Sequence, residues 1–119
     1  MNAGRNPRDF LMLTPHENQL RFRRADFDKI PANAFGVYGV WFRNRCIYIG
    51  EAYAQPIAIR LTQHWRGSHN PDLADWVKAK GPELRISYIV ALDECVIHNL
   101  ERSCIRRLQP MANRTGLSG

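Results

Sequence analysis

Two runs rich in aromatic and β-branched residues, 35–42 (FGVYGVWF) and 46–49 (CIYI), flank a single polar break, Arg43-Asn44-Arg45. Such side chains suit the pleated, half-buried surface of a sheet. A break this short leaves no room for a crossover, so the two runs predict an antiparallel hairpin. With a three-residue loop at 43–45, Val40 lies opposite Tyr48, and Tyr38 and Tyr48 become diagonal neighbours on one face. A two-residue loop would send the two phenols to opposite faces. Taken alone, two tyrosines on one face are more often core aromatics than catalysts.

Downstream, Pro56 suits the first turn of a helix that continues through 57–65. Residues 67–71 (GSHNP) read as a loop and 72–80 as a second short helix closed by Gly81-Pro82. Residues 84–92 read as a buried strand. Asp93 is the N-cap of a helix predicted over 94–108, which Pro110 ends. Upstream, residues 1–19 are interrupted by Gly4, Pro7 and Pro15, and only Phe10-Leu11-Met12-Leu13 is apolar. In 20–33, Leu20, Phe22 and Phe27 are separated by Arg21, Arg23 and Arg24, a pattern that a short strand accommodates. From residue 35 the order is β-β-α-α-β-α. It predicts an α+β fold, a small and mainly antiparallel three-stranded sheet flanked by helices. The expected organisation is an N-terminal arm or extension at 1–33, one domain at 34–114 and a C-terminal tail at 115–119.

The 119 residues suffice for one core. The net charge is +6, and 14 of the 17 basic residues are Arg. That skew favours planar, two-pronged contacts to phosphate and so a nucleic-acid partner, although a basic balance alone also fits a soluble protein of no such function. Three cysteines without a C-x-x-C pair argue against a disulfide framework and fit a reducing cytoplasm. No stretch reaches the length of a membrane span, and the first ten residues lack the apolar run of a signal peptide. Cys95, His98 and Cys104 could ligate zinc, but no fourth ligand is evident.

Two features of the helices carry chemistry. In 94–108, Ile97, Leu100, Cys104 and Leu108 share a face, and Glu101 falls in the middle of that stripe. A carboxylate there must be neutralised, paired with a cation or bound to a metal. A structural ion pair with a nearby Arg answers that need as well as a metal does. In 57–65, Ile57, Ala58, Leu61 and Trp65 form the apolar side, and Arg60 and His64 stack one turn apart beside it. Such a pair can hold a phosphate, or be a surface Arg next to a partly buried His.

Together these residues resemble the GIY-YIG nuclease family. Gly36-Val37-Tyr38 is similar to the first half of the naming motif, with Val for Ile. Tyr48-Ile49-Gly50 matches the second half, with nine residues, Gly39 to Ile47, between the two. Arg60 stands where the family's helix Arg is expected, and His64 at a position that holds His or Tyr. Glu101 resembles the single metal-binding Glu, and Asn113, twelve residues later, the closing Asn. Pro110 is typical of that segment. Many members carry Lys shortly after the second half, where this chain has Glu51. The likeness covers about residues 34–114.

The resemblance implies a metal-dependent endonuclease that hydrolyses phosphodiester bonds in duplex or branched DNA. Its implied catalytic set is Tyr38, Tyr48, Arg60, His64, Glu101 and Asn113. Glu101 is expected to hold one Mg2+ or Mn2+, hard cations that prefer oxygen ligands. Arg60 is expected to grip the scissile phosphate, with Tyr38 as general base and Tyr48 hydrogen-bonded to the phosphate or the water. The two tyrosine roles are interchangeable at this stage. Arg60, His64 and the metal are the groups expected to lower the phenol's pKa. Asn113 is expected to fix the chain end near the site. Glu51 is either a second metal contact or a surface charge. A protein partner or a homodimer would supply specificity. The alternative is a non-catalytic basic DNA- or RNA-binding module on the same fold. The +6 charge predicts binding to unrelated duplexes that weakens steeply with salt through counterion release. Strong preference for one sequence at physiological salt in a binding titration would overturn it.

Overall fold

The computed structural model describes residues 20–113. The expected tail at 115–119 and residues 1–19 of the expected arm, including Phe10-Leu11-Met12-Leu13, lie outside the described residues. The predicted hairpin is formed by β2 (Gly36–Phe42) and β3 (Arg45–Ala52). Its loop is shorter than expected. Phe42 pairs with Arg45 and Trp41 with Cys46, so only Arg43 and Asn44 turn the chain, and Arg43 takes a left-handed φ of 57°. The register then shifts, and Val40 pairs with Tyr48. Ile47 is the extra residue, a β-bulge. The bulge restores the pairing that the two-residue turn would have lost.

The bulge also sorts the side chains. Ile47 and Tyr48 both join Tyr38 and Val40 in one core layer. Cys46 and Ile49 join Val37 and Trp41 in the other. Two glycines let this hairpin close. Gly36 has φ 151°, and a Cβ there would stand 1.9 Å from the Ile89 carbonyl oxygen. Gly50 lies opposite Tyr38, and a Cβ there would stand 2.4 Å from the phenol's Cζ and Oη.

The third predicted strand is β4 (Leu84–Val90), antiparallel to β2 and entered through a 3-10 turn, Gly81–Glu83. The sheet has four strands rather than three, in the order β1-β4-β2-β3. The addition is β1 (Leu20–Arg21), whose two residues pair with Ile86 and Arg85. It is followed by a single-turn helix, α1 (Arg24–Phe27). Residues 20–33, read from the sequence as part of an arm, place Phe22, Phe27 and Ile30 in the core. The buried Asp26 carboxylate anchors the turn, accepting from the Arg21 backbone N–H at 2.6 Å and from Arg23 Nε at 2.8 Å.

Helices cover both faces of the sheet. On the Tyr38 face lie α1, α2 (Ile57–Gly67) and α3 (Pro71–Lys80), through Phe27, Ile57, Leu61 and Leu73. On the other face lies α4 (Glu94–Leu108), through Ile97, Leu100 and Cys104. Asp93 caps α4 as predicted, accepting from the N–H groups of Cys95 and Val96. The edge of β3 is covered by the last described residues, with the N–H groups of Met111 and Ala112 donating to Cys46 and Ile47 carbonyls. An edge closed this way offers no template for foreign strands.

Gly50→Ala is expected to destabilise the fold by about 1–3 kcal/mol, as overpacking does. Urea melts of Gly50→Ala, Tyr38→Phe and the double variant check it. Simple additivity of the two would show that contact with the Tyr38 hydroxyl is not the cause.

Candidate active site

The elements converge around β3. Tyr38 comes from β2 and Tyr48 from β3, with ring centroids 6.3 Å apart. The i, i+4, i+7 stripe of α2 is Ile57, Leu61 and His64, all buried. His64 therefore takes the inward place expected of Trp65, which is 41% exposed. The His64 ring approaches both phenols, at 5.9 Å from Tyr38 and 5.2 Å from Tyr48, and its Nε2 lies 2.8 Å from the Tyr38 hydroxyl. Arg60, one turn back, is half-buried. Its guanidinium donates to Gln63 Oε1 at 2.9 Å, and its charge bears on the Tyr38 phenol.

Glu101 reaches the same place from α4. It is half-buried, and its charge bears on both tyrosines. Glu51 of β3 bears on it most among the neighbouring charges. Burial, and then the neighbouring Glu51, push Glu101 up to about 7. The charges of His98 and Arg102 pull the other way. Glu51 Oε1 meets His98 Nδ1 at 2.6 Å, and His98 Nε2 meets Glu94 at 3.3 Å. The hydrogen bonds with Glu51 and then Glu94 raise the His98 pKa.

Asn113 does not face the phenols. Its Oδ1 accepts from the Ile49 N–H at 2.7 Å and its Nδ2 donates to the Ile49 carbonyl at 2.9 Å. Both polar ends are spent on the middle residue of Tyr48-Ile49-Gly50, which ties Asn113 to the strand that carries Tyr48.

The protonation states follow from burial. Tyr38 has no exposed surface, and desolvation, with Tyr48 beside it, raises its pKa although Arg60 pulls the other way. Its phenol is enclosed and protonated, which differs from the expectation of a base facing water. His64 is depressed to about 3 by burial and by Arg60 and so is neutral. Tyr48 is less enclosed, with 9% of its surface exposed. Burial raises its pKa, Arg60 lowers it, Glu101 and Glu51 raise it, and a hydrogen bond from Tyr38 lowers it.

Among the described residues no three His, Cys, Asp or Glu side chains are grouped to hold a metal. The zinc reading fails on this geometry, since Cys104 is buried, Cys95 is exposed and both nitrogens of His98 meet carboxylates. A carboxylate pair does fit a hard divalent cation that takes its remaining ligands from water and substrate. The crowding of Glu51 against a half-buried Glu101 is what such a cation would relieve.

Ser68 and Asn70 were not singled out from the sequence. Asn70 caps α3 by accepting from the Leu73 N–H at 3.0 Å and ties Ala112 through its carbonyl at 3.1 Å. An Asn before Pro71 is a legible capping signal. Ser68 Oγ lies 2.7 Å from His64 Nδ1, a contact that no sequence pattern announces. No helix among the described residues is long and apolar enough to cross a membrane.

No family model matches the chain, and no curated protein matches it. Solved structures do. The GIY-YIG N-terminal endonuclease domain of UvrC from Thermotoga maritima, bound to magnesium as its catalytic divalent cation, aligns with a TM-score of 0.54 at 23% identity, over 73% of this chain and 94% of that one. An Asn-to-Ala point mutant of that domain, also bound to its catalytic divalent cation, aligns with a TM-score of 0.52 at 24% identity, over 72% of this chain and 92% of that one. The chain has the GIY-YIG nuclease fold.

Glu101 binds its proton more tightly in the folded protein than at its ordinary value of 4.5, up to about 7. Across that window the folded state holds more protons than the unfolded one, so stability falls as pH rises. In metal-free buffer, Glu101→Gln is expected to remove part of this fall and to melt higher than wild type at about pH 8. Thermal melts at about pH 5 and about pH 8 check it, and an equal fall in both proteins would clear Glu101 as the source.

Proposed function

We propose that the protein is a metal-dependent endonuclease acting on phosphodiester bonds in DNA. The observation that carries this reading is the meeting of three chemistries at one phenol. Tyr48 lies in the fields of Arg60, Glu101 and Glu51 at once. The fold is one whose solved examples hold a catalytic divalent cation.

Phosphodiester hydrolysis needs an activated water, a clamp on the phosphate charge and a stabilised leaving oxygen. Arg60 clamps the phosphate, because its planar fork matches two phosphate oxygens and its half-exposed head need only leave Gln63. Tyr48 first gives its own proton to solvent and then, as phenolate, takes the proton of the attacking water at its oxygen, a role that its partial exposure permits and the enclosure of Tyr38 denies. Tyr38 donates its hydroxyl hydrogen to Tyr48 and steadies the phenolate that forms. His64 holds Tyr38, and Asn113 holds the strand that carries Tyr48. Glu101, with Glu51 beside it, would hold a Mg2+ or Mn2+, which when bound supplies charge neutralisation at the leaving oxygen and cancels the carboxylate field on Tyr48. The net charge of +6 supplies sequence-independent attraction to the DNA. A partner or a second copy remains the proposed source of specificity.

The test is incubation with supercoiled plasmid and with branched DNA, in Mg2+, in Mn2+ and in chelator. Wild type is expected to cut only with metal. Tyr48→Phe is expected to lose ~10²–10⁴-fold in turnover while folding normally, and Tyr38→Phe to lose less. DNA binding without cleavage in either metal would overturn the nuclease in favour of a non-catalytic binding module. Wild-type turnover by Tyr48→Phe would remove it as the base.

A further inference from the structure

We propose that Ser68 is a positioning residue of this site: its hydroxyl donates to Nδ1 of His64 and so fixes the imidazole with its hydrogen on Nε2, aimed at Tyr38. The consequence for catalysis rests on the nuclease reading; the hydrogen-bond order does not.

Ser68 follows the last turn of α2, with its Oγ 2.7 Å from His64 Nδ1. The backbone N–H of Asn70 donates to the same oxygen at 3.2 Å. A hydroxyl that accepts from a backbone N–H still has one hydrogen to give, and Nδ1 stands in place to receive it. A neutral imidazole that accepts at Nδ1 carries its hydrogen on Nε2. That Nε2 lies 2.8 Å from the Tyr38 hydroxyl oxygen. Tyr38 then accepts from His64 and keeps its own hydrogen for Tyr48, whose ring is its neighbour with centroids 6.3 Å apart. In the opposite tautomer Nε2 would take the Tyr38 hydrogen, and Tyr38 would have none left for Tyr48. The direction of every bond in the chain Asn70, Ser68, His64, Tyr38 is therefore set at the serine.

The ring has no easy escape. His64 is 1% exposed, and burial together with Arg60 opposes its ionisation. His69 stacks on its outer face, with centroids 5.6 Å apart. The loop is held as well. The Asn70 side chain caps α3 and donates to the Ala112 carbonyl, next to the residue that grips Ile49. Turning Ser68 away would cost the Asn70 backbone N–H its acceptor. What this order gives the reaction is a hydrogen bond that strengthens as Tyr48 becomes phenolate, already oriented before substrate arrives.

The test reads the tautomer directly, by long-range 15N correlation spectra of the metal-free protein labelled at histidine. Wild type is expected to carry the His64 hydrogen on Nε2. Ser68→Ala is expected to lose that single tautomer, and Ser68→Thr, which keeps the hydroxyl, to retain it. In cleavage assays Ser68→Ala is expected to lose roughly 10–100-fold in kcat with KM for DNA unchanged, as a misplaced reacting group does, and Ser68→Thr to recover most of it. A wild-type His64 protonated on Nδ1 would overturn the proposal. So would a Ser68→Ala protein with an unchanged tautomer and kcat. A protein with the expected tautomer that cuts in neither metal would uphold the hydrogen-bond order and sink the nuclease reading instead.

Discussion

A two-residue turn that pairs Phe42 with Arg45 would, continued regularly, set Val40 opposite Ile47 and turn Tyr48 away from Tyr38. One extra residue on β3 prevents this. The bulge at Ile47 puts Tyr48 on the face where Tyr38, His64 and Arg60 meet, and everything proposed for the site depends on that register. It is protected from both sides. Gly50 yields the volume that the Tyr38 ring fills. Asn113 grips both polar groups of Ile49, and Ala112 takes the carbonyl of Ile47 itself. Slipping β3 by one residue would break all three bonds and bury the phenol of Tyr38 against a Cβ.

The electrostatics of the site follow from its depth. An imidazole and a phenol without solvent contact keep their neutral forms, so His64 and Tyr38 serve as hydrogen-bonding parts. Charge is confined to the shallower groups, Arg60 on one side and Glu101 with Glu51 on the other. Tyr48 sits between them, and its ionisation is decided by which side is neutralised. In the absence of a cation the carboxylates and burial win, and the phenol keeps its proton.

Much of this was legible in the sequence. The bounds of α4 were, because Asp93 and Pro110 mark its ends. The convergence of Tyr38, Tyr48, Arg60 and Glu101 was, through the spacing of the family resemblance. The turn length and the bulge were not, because two compensating one-residue shifts leave the same Val40–Tyr48 pairing. β1 was legible only as a short strand somewhere in 20–33, and α1 not at all, because a two-residue strand and a single helical turn have no periodicity to read. They exist through Phe22 and Phe27 packing edge to face, with centroids 5.3 Å apart, and through the buried Asp26. Trp65 looked more apolar than His64, but the stripe of α2 passes through His64. The indole instead lies on the surface under Arg24, 5.7 Å from its centroid. Ser68 was invisible because its function is a contact made four residues back, across the end of a helix.

Glu51 is where the chain departs most from the family it resembles, since many members carry Lys there. A bare anion at that point would only raise the Tyr48 pKa and crowd Glu101. The chain answers with His98, one turn before Glu101 on the same helix, which binds Glu51 at 2.6 Å and is backed by Glu94. Tyr53 packs edge-on against that imidazole, with centroids 4.7 Å apart. The result is a carboxylate held in a fixed direction beside Glu101, supported from behind as metal-ligating carboxylates generally are. A surface charge has no need of such bracing. His98 thus fixes the direction of the Glu51 carboxylate and turns the position into a held oxygen acceptor, which a Lys there could not be.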